Sequence, residues 1–254
     1  MRKASVAVAA GLAAIFSSTG AMAGKDLDNI KARGALICGI GQGTAGFMLQ
    51  DSQGKWVGLD VDVCRAVSAA IFGDSEKVRY VPLSSQQRFT ALQSGEVDML
   101  SNNTTETLTR DTALGLDFTA VTYYDGQGFL VNKKLGVKSA KELNGATVCV
   151  APGTTTELNL ADYFRANKMT FKPVVIEKVE EVRAAFFSGR CDVYTNDASS
   201  LYATRAANVP APAKAEDFIV LPEIISKEPL APAVRHGDNQ FADIVRWTQY
   251  GMIE

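Results

Sequence analysis

The stretch Cys38-Gly-Ile-Gly-Gln-Gly-Thr-Ala-Gly46 spells G-x-G-x-x-G at Gly41, Gly43 and Gly46, directly after an apolar run, Ala35–Ile40, that reads as a strand. Asp60 lies 19 residues past Gly41, where a dinucleotide-binding fold puts its ribose-binding acid. The sequence that follows argues against that chemistry. A dinucleotide fold has started its helix by the third glycine, whereas Phe47–Gly54 reads as a short extended piece and a turn, with the helix delayed to Asp60. Asp60 therefore opens a helix, and with Asp62 it supplies cap and first-turn charge in place of a metal-binding pair. What remains is a floor of small residues at the carboxyl end of a strand.

Other segments carry a more coherent chemistry. Asn103-Thr-Thr-Glu-Thr-Leu-Thr-Arg110 combines hydroxyls, backbone N–H groups and one guanidinium. That set suits a carboxylate, because arginine's planar fork grips both oxygens. Ala151-Pro-Gly-Thr-Thr-Thr-Glu157 opens a helix whose first N–H groups and threonine hydroxyls also suit an anion, with capping accounting for at least one threonine. Asp197 closes a strand with a carboxylate and suits a cation. A carboxylate clamp facing an ammonium-binding aspartate describes one ligand class, a free α-amino acid.

The elements that must position these groups alternate in period and punctuation. Strands are predicted at Ala35–Ile40, Val78–Leu83, Val97–Leu100, Ala146–Ala151, Phe171–Ile176 and Asp192–Thr195. Helices are predicted at Asp60–Phe72, Ser85–Ser94, Thr155–Asn167 and Val179–Ser188. This βαβ order implies mostly parallel sheets covered by helices. Two internal echoes split the chain into similar halves: Ser94–Asn103 matches Ser188–Asp197, and Gly34–Cys38 matches Gly145–Cys149. Ligands of open parallel sheets sit beyond the carboxyl ends of strands. Facing lobes would thus bring Asn102-Asn103 and Asn196-Asp197 to one cleft, along with the residues after Ile40 and Ala151.

Composition narrows the setting. Arg2 and Lys3 precede the apolar run Ala4–Phe16 and an A-M-A ending at Ala23, the pattern of a cleavable signal peptide over residues 1–23. Arg2 and Lys3 are the only charges there, leaving 24 basic against 28 acidic side chains in the remainder. Nucleic acid and anionic membrane surfaces are poor partners for that balance. No later apolar run approaches the roughly 18 residues needed to span a bilayer, so no direct membrane insertion is expected. Four cysteines, Cys38, Cys64, Cys149 and Cys191, fit disulfides in an oxidising compartment, with three connectivities open. One histidine gives little support to zinc or Cys–His chemistry; His236 reads as a surface residue near a turn, and Trp56 and Trp247 as packing. Tyr123 and Tyr124 fit either the cleft or the interlobe connection.

Several motifs together resemble one family. They are Gly58-Leu-Asp-Val-Asp62, Arg88-Phe-Thr-Ala-Leu-Gln-Ser-Gly-Glu-Val-Asp98, Thr105-x-Thr-x-x-Arg110, Asp117-Phe118, Pro152-Gly-Thr-Thr155 and Ser188-Gly-Arg-Cys-Asp192. From about Leu27 onward the chain resembles the polar amino-acid solute-binding proteins of bacterial ABC transporters, most of all the general L-amino-acid-binding type. The resemblance implies a two-lobed periplasmic-binding-protein-like fold (type II), each lobe a mainly parallel sheet flanked by helices. Lobe 1 would comprise residues 24–130 plus 228–254 and lobe 2 residues 131–227, with crossings near Phe129–Asn132 and Glu223–Pro229. It implies a periplasmic monomer without cofactor or metal that captures free L-amino acids and delivers them to an inner-membrane ABC permease complex.

By the family pattern, Arg110 grips the ligand α-carboxylate with help from Thr105 and the turn at Thr155 and Thr156. Asp197, beside Asn196, pairs with the α-ammonium, and the main chain around Asn103 accepts from it. Arg88 resembles a position that reaches a side-chain carboxylate. Gln42 falls where many relatives stack an aromatic residue, and no aromatic stands before Phe47; a second arginine of acidic-specific relatives is also absent near Gly41. The implied specificity is broad, leaning to Glu, Gln, Asp and Asn. Pairing Cys38 with Cys64 and Cys149 with Cys191 keeps each bridge within a lobe and the hinge free. The family continues in helical sequence after Asn239–Met252, whereas this chain stops at Glu254. The rival reading is a same-fold enzyme such as a cyclohexadienyl dehydratase, for which Glu157 is the one candidate acid in the cleft. A receptor's sensor lobe would require a membrane-spanning helix.

Overall fold

The computed structural model describes residues 24–254, so the leader expected over residues 1–23 lies outside the described residues. The first half contains α1 (Lys25–Arg33), β1 (Leu36–Ile40), β2 (Leu49–Gln50), β3 (Trp56–Val57), α2 (Leu59–Phe72), β4 (Val78–Pro82), α3 (Arg88–Ser94), β5 (Met99–Leu100), α4 (Leu108–Leu114), β6 (Leu116–Phe118) and β7 (Tyr123–Asp125). Then come β8 (Gln127–Asn132), β9 (Thr147–Val150), α5 (Thr155–Ala166), β10 (Lys172–Val175), α6 (Val179–Phe187), β11 (Val193–Asp197), α7 (Ala198–Ala207) and β12 (Phe218–Val220). The chain closes with β13 (Glu228–Leu230), β14 (Ala233–Arg235) and α8 (Asn239–Ile253).

Two five-stranded sheets result, ordered β4-β1-β5-β14-β6 and β10-β9-β11-β8-β12. In each, four strands run in one direction and a single strand, β14 in the first and β8 in the second, runs against them. The sequence echoes have a structural counterpart. Strands β5 and β11 are the central strands of their sheets, β1 and β9 lie beside them, and β4 and β10 are the edges. The same helix-end, glycine and short-strand wording occupies the same place twice.

Strands β7 and β13 pair antiparallel in a separate two-stranded ladder, with Asp125 opposite Glu228 and Leu230 opposite Tyr123. This ladder joins the lobes and takes up both tyrosines. Tyr123 meets Phe47 edge-on at 5.4 Å, and Tyr124 is exposed. Strand β8 pairs along its whole length within the second sheet. All of β8, including the expected crossing residues Phe129–Asn132, thus lies in the second sheet, and the chain leaves the β7–β13 ladder at Asp125–Gly126. The physical reason is burial: Phe129, Leu130 and Val131 are fully buried, and a continuous apolar run is stable only as an inner strand covered on both faces.

Alternation along these strands builds the cores. In lobe 2, Phe129, Val131, Val148, Val150 and Val193 pack on one face with Leu160 and Phe164 of α5. Leu130, Cys149 and Tyr194 pack on the other with Val182 and Phe186 of α6 and Leu201 of α7. Lobe 1 sets Cys38, Ile40, Val61, Cys64, Phe241 and Val245 together, so α2 and α8 cover β1. Fully burying each such large side chain contributes about 1.5–3 kcal/mol. Trp247 differs from expectation. It sits on the face of α8 opposite Val245, stays exposed and meets Tyr250 edge-on.

Both disulfides lie within a lobe: Cys38–Cys64 joins β1 to α2 with Cα atoms 6.2 Å apart, and Cys149–Cys191 joins β9 to the start of β11 at 5.6 Å. Neither crosses the hinge. Replacing Cys149 and Cys191 together by serine is expected to destabilise the chain by about 3–4 kcal/mol through loop entropy, read as a lower midpoint in urea unfolding.

Candidate functional site

The carboxyl ends of β1, β5, β9 and β11 open on a cleft between the lobes enclosing about 80 Å³. At about 10–15 Å³ per water-sized position, that is roughly half a dozen positions, which suits a small solute. Gln42, Arg88, Asn103, Thr105, Thr155, Thr156, Asn196 and Asp197 all line it. Apolar contact comes from Met48, Leu83, Val179 and Val182.

The glycine run forms part of the floor for reasons unrelated to nucleotides. A Cβ on Gly41 would stand 2.9 Å from Asn102 Oδ1 and 3.2 Å from Met48 Sδ, while Gly43 and Gly46 adopt φ of +118° and +86° in a tight turn. The next helix is α2, begun at Leu59.

Asn103 is held in a left-handed conformation, φ +39°, uncommon for a residue with a side chain. Asp60 fixes it there. One oxygen accepts from Asn103 N–H at 3.1 Å and the other from the Ser101 hydroxyl at 2.9 Å. Both polar atoms of the Asn103 amide are buried without a partner among the described residues, as is Asn102 Nδ2. Such unsatisfied groups are costly, and a strained residue holding them in a cleft points to ligand contact. Burial pushes the Asp60 carboxyl up to about 6, against the pull of Ser101, Asn103 and Arg88.

Two cations lie at the lobe 1 wall. Arg88 begins α3 and donates through Nη1 to Asn102 O at 3.1 Å, with Nε buried and unpartnered. Burial, and secondarily the neighbouring Arg110, pushes Arg88 down to about 9, so it stays charged at neutral pH. Arg110 sits on α4 beside the lining residue Thr105 and is only 7% exposed. Its Nη1 donates to Thr105 O at 2.7 Å and its guanidinium lies 4.9 Å from the Phe89 ring centre. Burial lowers its pKa to about 10. Its remaining N–H donors have no hydrogen bond among the described residues.

Across the cleft, Thr154 caps α5, its hydroxyl accepting from Glu157 N–H. The N–H groups of Thr155 and Thr156 then belong to the first helical turn, which has no intrahelical partner for them, and both residues line the cleft. Glu157 is turned away. It accepts from Gly153 N–H and is absent from the lining, so the one acid considered for an enzyme is a capping group. Asp197 ends β11, buried, with a carboxylate that takes no hydrogen bond among the described residues. Its pKa is pushed well above the ordinary 3.8, first by burial and then by Asp125 and Glu228, with Arg88 and Arg110 pulling the other way.

Several cleft residues have no counterpart in the sequence reading. Glu228, on the hinge strand β13, is 1% exposed and accepts from Thr105 and Thr155 hydroxyls at 2.6 and 2.8 Å. Ser84 of lobe 1 donates to Glu177 of lobe 2 at 2.6 Å, and Arg183 of α6 donates to Gly43 O at 2.8 Å. The lobes are thus in contact across the cleft. Polar types at strand ends were the only available signal, and partners up to 140 residues apart leave no local pattern. His236 stands beside Asp117 at 3.5 Å, part-exposed as expected.

The family model for bacterial extracellular solute-binding proteins, family 3, matches residues 36–253. Over 253 residues, covering 100% of this chain and 73% of each relative, the chain is 53% identical to a general L-amino acid-binding periplasmic protein of Rhizobium johnstonii. Over the same span it is 56% identical to a glutamate/glutamine/aspartate/asparagine-binding protein of Rhodobacter capsulatus. Among solved structures, a periplasmic binding protein of Brucella ovis with glutathione bound aligns at TM-score 0.82 and 58% identity, covering 87% of this chain and 68% of that one.

Asp60 makes stability depend on pH in a defined direction. Its folded pKa of about 6 exceeds the ordinary 3.8, so the folded chain holds more protons between those values. The contribution is full below the unfolded value and is lost as pH rises through about 6. Unliganded stability in urea should therefore gain on the order of 1–3 kcal/mol from this group between pH 7 and pH 4, and Asp60→Asn should flatten that slope.

Proposed function

The chain belongs to the bacterial extracellular solute-binding proteins of family 3, and from that premise we propose that it captures a free L-amino acid between two closing lobes. One observation carries the reading. A buried Asp197 carboxyl without a donor among the described residues shares a cleft with Arg88 and the first turn of α5. A zwitterion answers both at once, its ammonium on Asp197 and its α-carboxylate on positive groups. Arg110, through its unspent donors, and the Thr155 and Thr156 N–H groups take the α-carboxylate. Asn103 and Asn196 complete the ammonium end, while Arg88 and Gln42 meet the side chain. The moving bodies are residues 24–126 with 228–254, and residues 127–227. The protein works as a periplasmic monomer and delivers its ligand to an inner-membrane ABC permease complex.

Breadth is supported by the floor Gly41–Gly46, which carries no aromatic, and by the ligands named for the Rhizobium and Rhodobacter relatives. A lean to Glu, Gln, Asp and Asn follows from Arg88 at the side-chain end. One observation favours a second ligand class, γ-glutamyl peptides. A groove of about 620 Å³ lined by Leu49, Phe187 and Pro210 shares Gln42 with the cleft, and the Brucella relative holds glutathione. The γ-glutamyl end of such a peptide carries the same ammonium and α-carboxylate.

A thermal-shift series with the twenty amino acids and glutathione tests the ligand class, since a bound ligand raises the midpoint by mass action; no shift with any of them would overturn the proposal. Removing one partner of a buried charge pair costs on the order of 3–5 kcal/mol. Asp197→Asn and Arg110→Ala should thus each weaken L-glutamate binding by at least about a hundredfold in calorimetry, with circular dichroism unchanged. Affinity should also fall as pH drops through the raised Asp197 pKa, because the ammonium needs the ionised carboxylate, and Asp197→Asn should remove that dependence.

A further inference from the structure

Glu228 stands between the lobes. Its strand belongs to the β7–β13 ladder, not to either large sheet. Oε2 accepts from Thr105 of lobe 1 and Thr155 of lobe 2, and Oε1 from Asn159 Nδ2 on α5 at 2.9 Å and from the Ser226 hydroxyl. Four donors converge on one buried carboxylate.

The lobe 1 contacts are fixed to the hinge strand through the backbone. Thr105 bridges Leu230, and Glu106 N–H donates to Pro229 O at 2.9 Å. Glu228 and Thr105 therefore travel together. The Thr155 and Asn159 contacts reach into lobe 2 through side chains alone, so these are the bonds that lobe opening stretches. We propose that Glu228 is a closure latch, a positioning residue that seats the N-terminus of α5 against lobe 1 in the closed form.

The latch also fixes which atoms serve the ligand. A carboxylate only accepts, and a hydroxyl has one proton to give. With the Thr105 and Thr155 protons committed to Glu228, those hydroxyls cannot donate to a bound α-carboxylate. The donors left on that side are backbone N–H groups and guanidinium. On this proposal Thr155 assists the α-carboxylate through its backbone N–H and not its hydroxyl.

The inference rests on lobe closure as proposed above, and its test does not depend on which solute binds. Glu228→Gln keeps the shape but puts a donor amide among donors. Small-angle scattering of the unliganded variant should give a larger radius of gyration than wild type. The Kd for L-glutamate should rise about tenfold, within the usual range of a coupling between sites. Thr155→Val, which leaves Glu228 in place, should do the same, and the double variant should be no worse than either single one. Unchanged scattering and affinity in Glu228→Gln, whatever its thermal midpoint, would overturn the latch, as would additive effects. Should Glu228→Gln fail to fold, Thr155→Val decides alone: a compact, tight-binding variant overturns the proposal and an open one supports it. If wild type binds no amino acid yet Glu228→Gln opens the empty chain, the ligand assignment fails and the latch stands.

Discussion

Charge buried at the meeting point of two sheets is the constraint on which the rest of the structure depends. Arg88, Arg110, Asp60, Asp197 and Glu228 are all at least nine-tenths buried, within or around one cleft. Removing an ion from water is costly unless hydrogen bonds replace the lost solvation. Glu228 has four donors and Asp60 two, while Arg88 rests on the carbonyls after β5. Asp197 alone has none among the described residues, and burial, with Asp125 and Glu228 nearby, holds its pKa well above the ordinary value. Holding such groups in place takes a rigid frame, which the inner strands, their two-sided cores and the within-lobe disulfides provide.

Much of that frame was legible because it is local or repeated. Hydrophobic alternation, glycine stops and the Ser94 and Ser188 echoes gave the central strands, and strand ends gave Asn103 and Asp197. Thr154 to Thr156 were recognisable from capping chemistry alone. What escaped is long-range. Asp60 stands in the first turn of α2 as expected, but the N-cap is Gly58, and the Asp60 carboxylate instead reaches the loop after β5, 43 residues on. Glu228, between Lys227 and Pro229, looks like an ordinary loop acid until β13 pairs with β7. Residue type points to Arg110, but no spacing rule reveals its bond to the Thr105 carbonyl. The apolar run of β8 has no period to tell which sheet covers it, so the crossing expected near Phe129–Asn132 falls within a strand that pairs throughout in the second sheet.

The internal repeat also has a mechanical meaning. Each lobe completes its sheet with antiparallel strands that adjoin the hinge in sequence: β8 follows directly from β7, and β14 from β13. The crossings are therefore short links, Asp125–Gly126 and the residues before Glu228, between segments anchored in both sheets. Asp125 adds to this by accepting from Gly126 and Ser199 N–H groups, which ties the hinge to the start of α7. A hinge so short and so tethered favours rotation about one axis over sliding.

Energetics then decide what closes it. The direct contacts between the lobes, Ser84 with Glu177, Arg183 with Gly43 and the Glu228 set, are hydrogen bonds worth about 0.5–1.5 kcal/mol each, rising to about 3 where charged. A handful of them competes with the desolvation of Asp197 in the closed cleft. On the proposed reading, an ammonium removes the Asp197 penalty only in the closed form, and a carboxylate gains the donors of both lobes only there. Differential contact of that kind is what shifts a two-state equilibrium. A solute with one charged end would leave either Asp197 or the α5 terminus unanswered, so on that reading zwitterion recognition and closure are the same event.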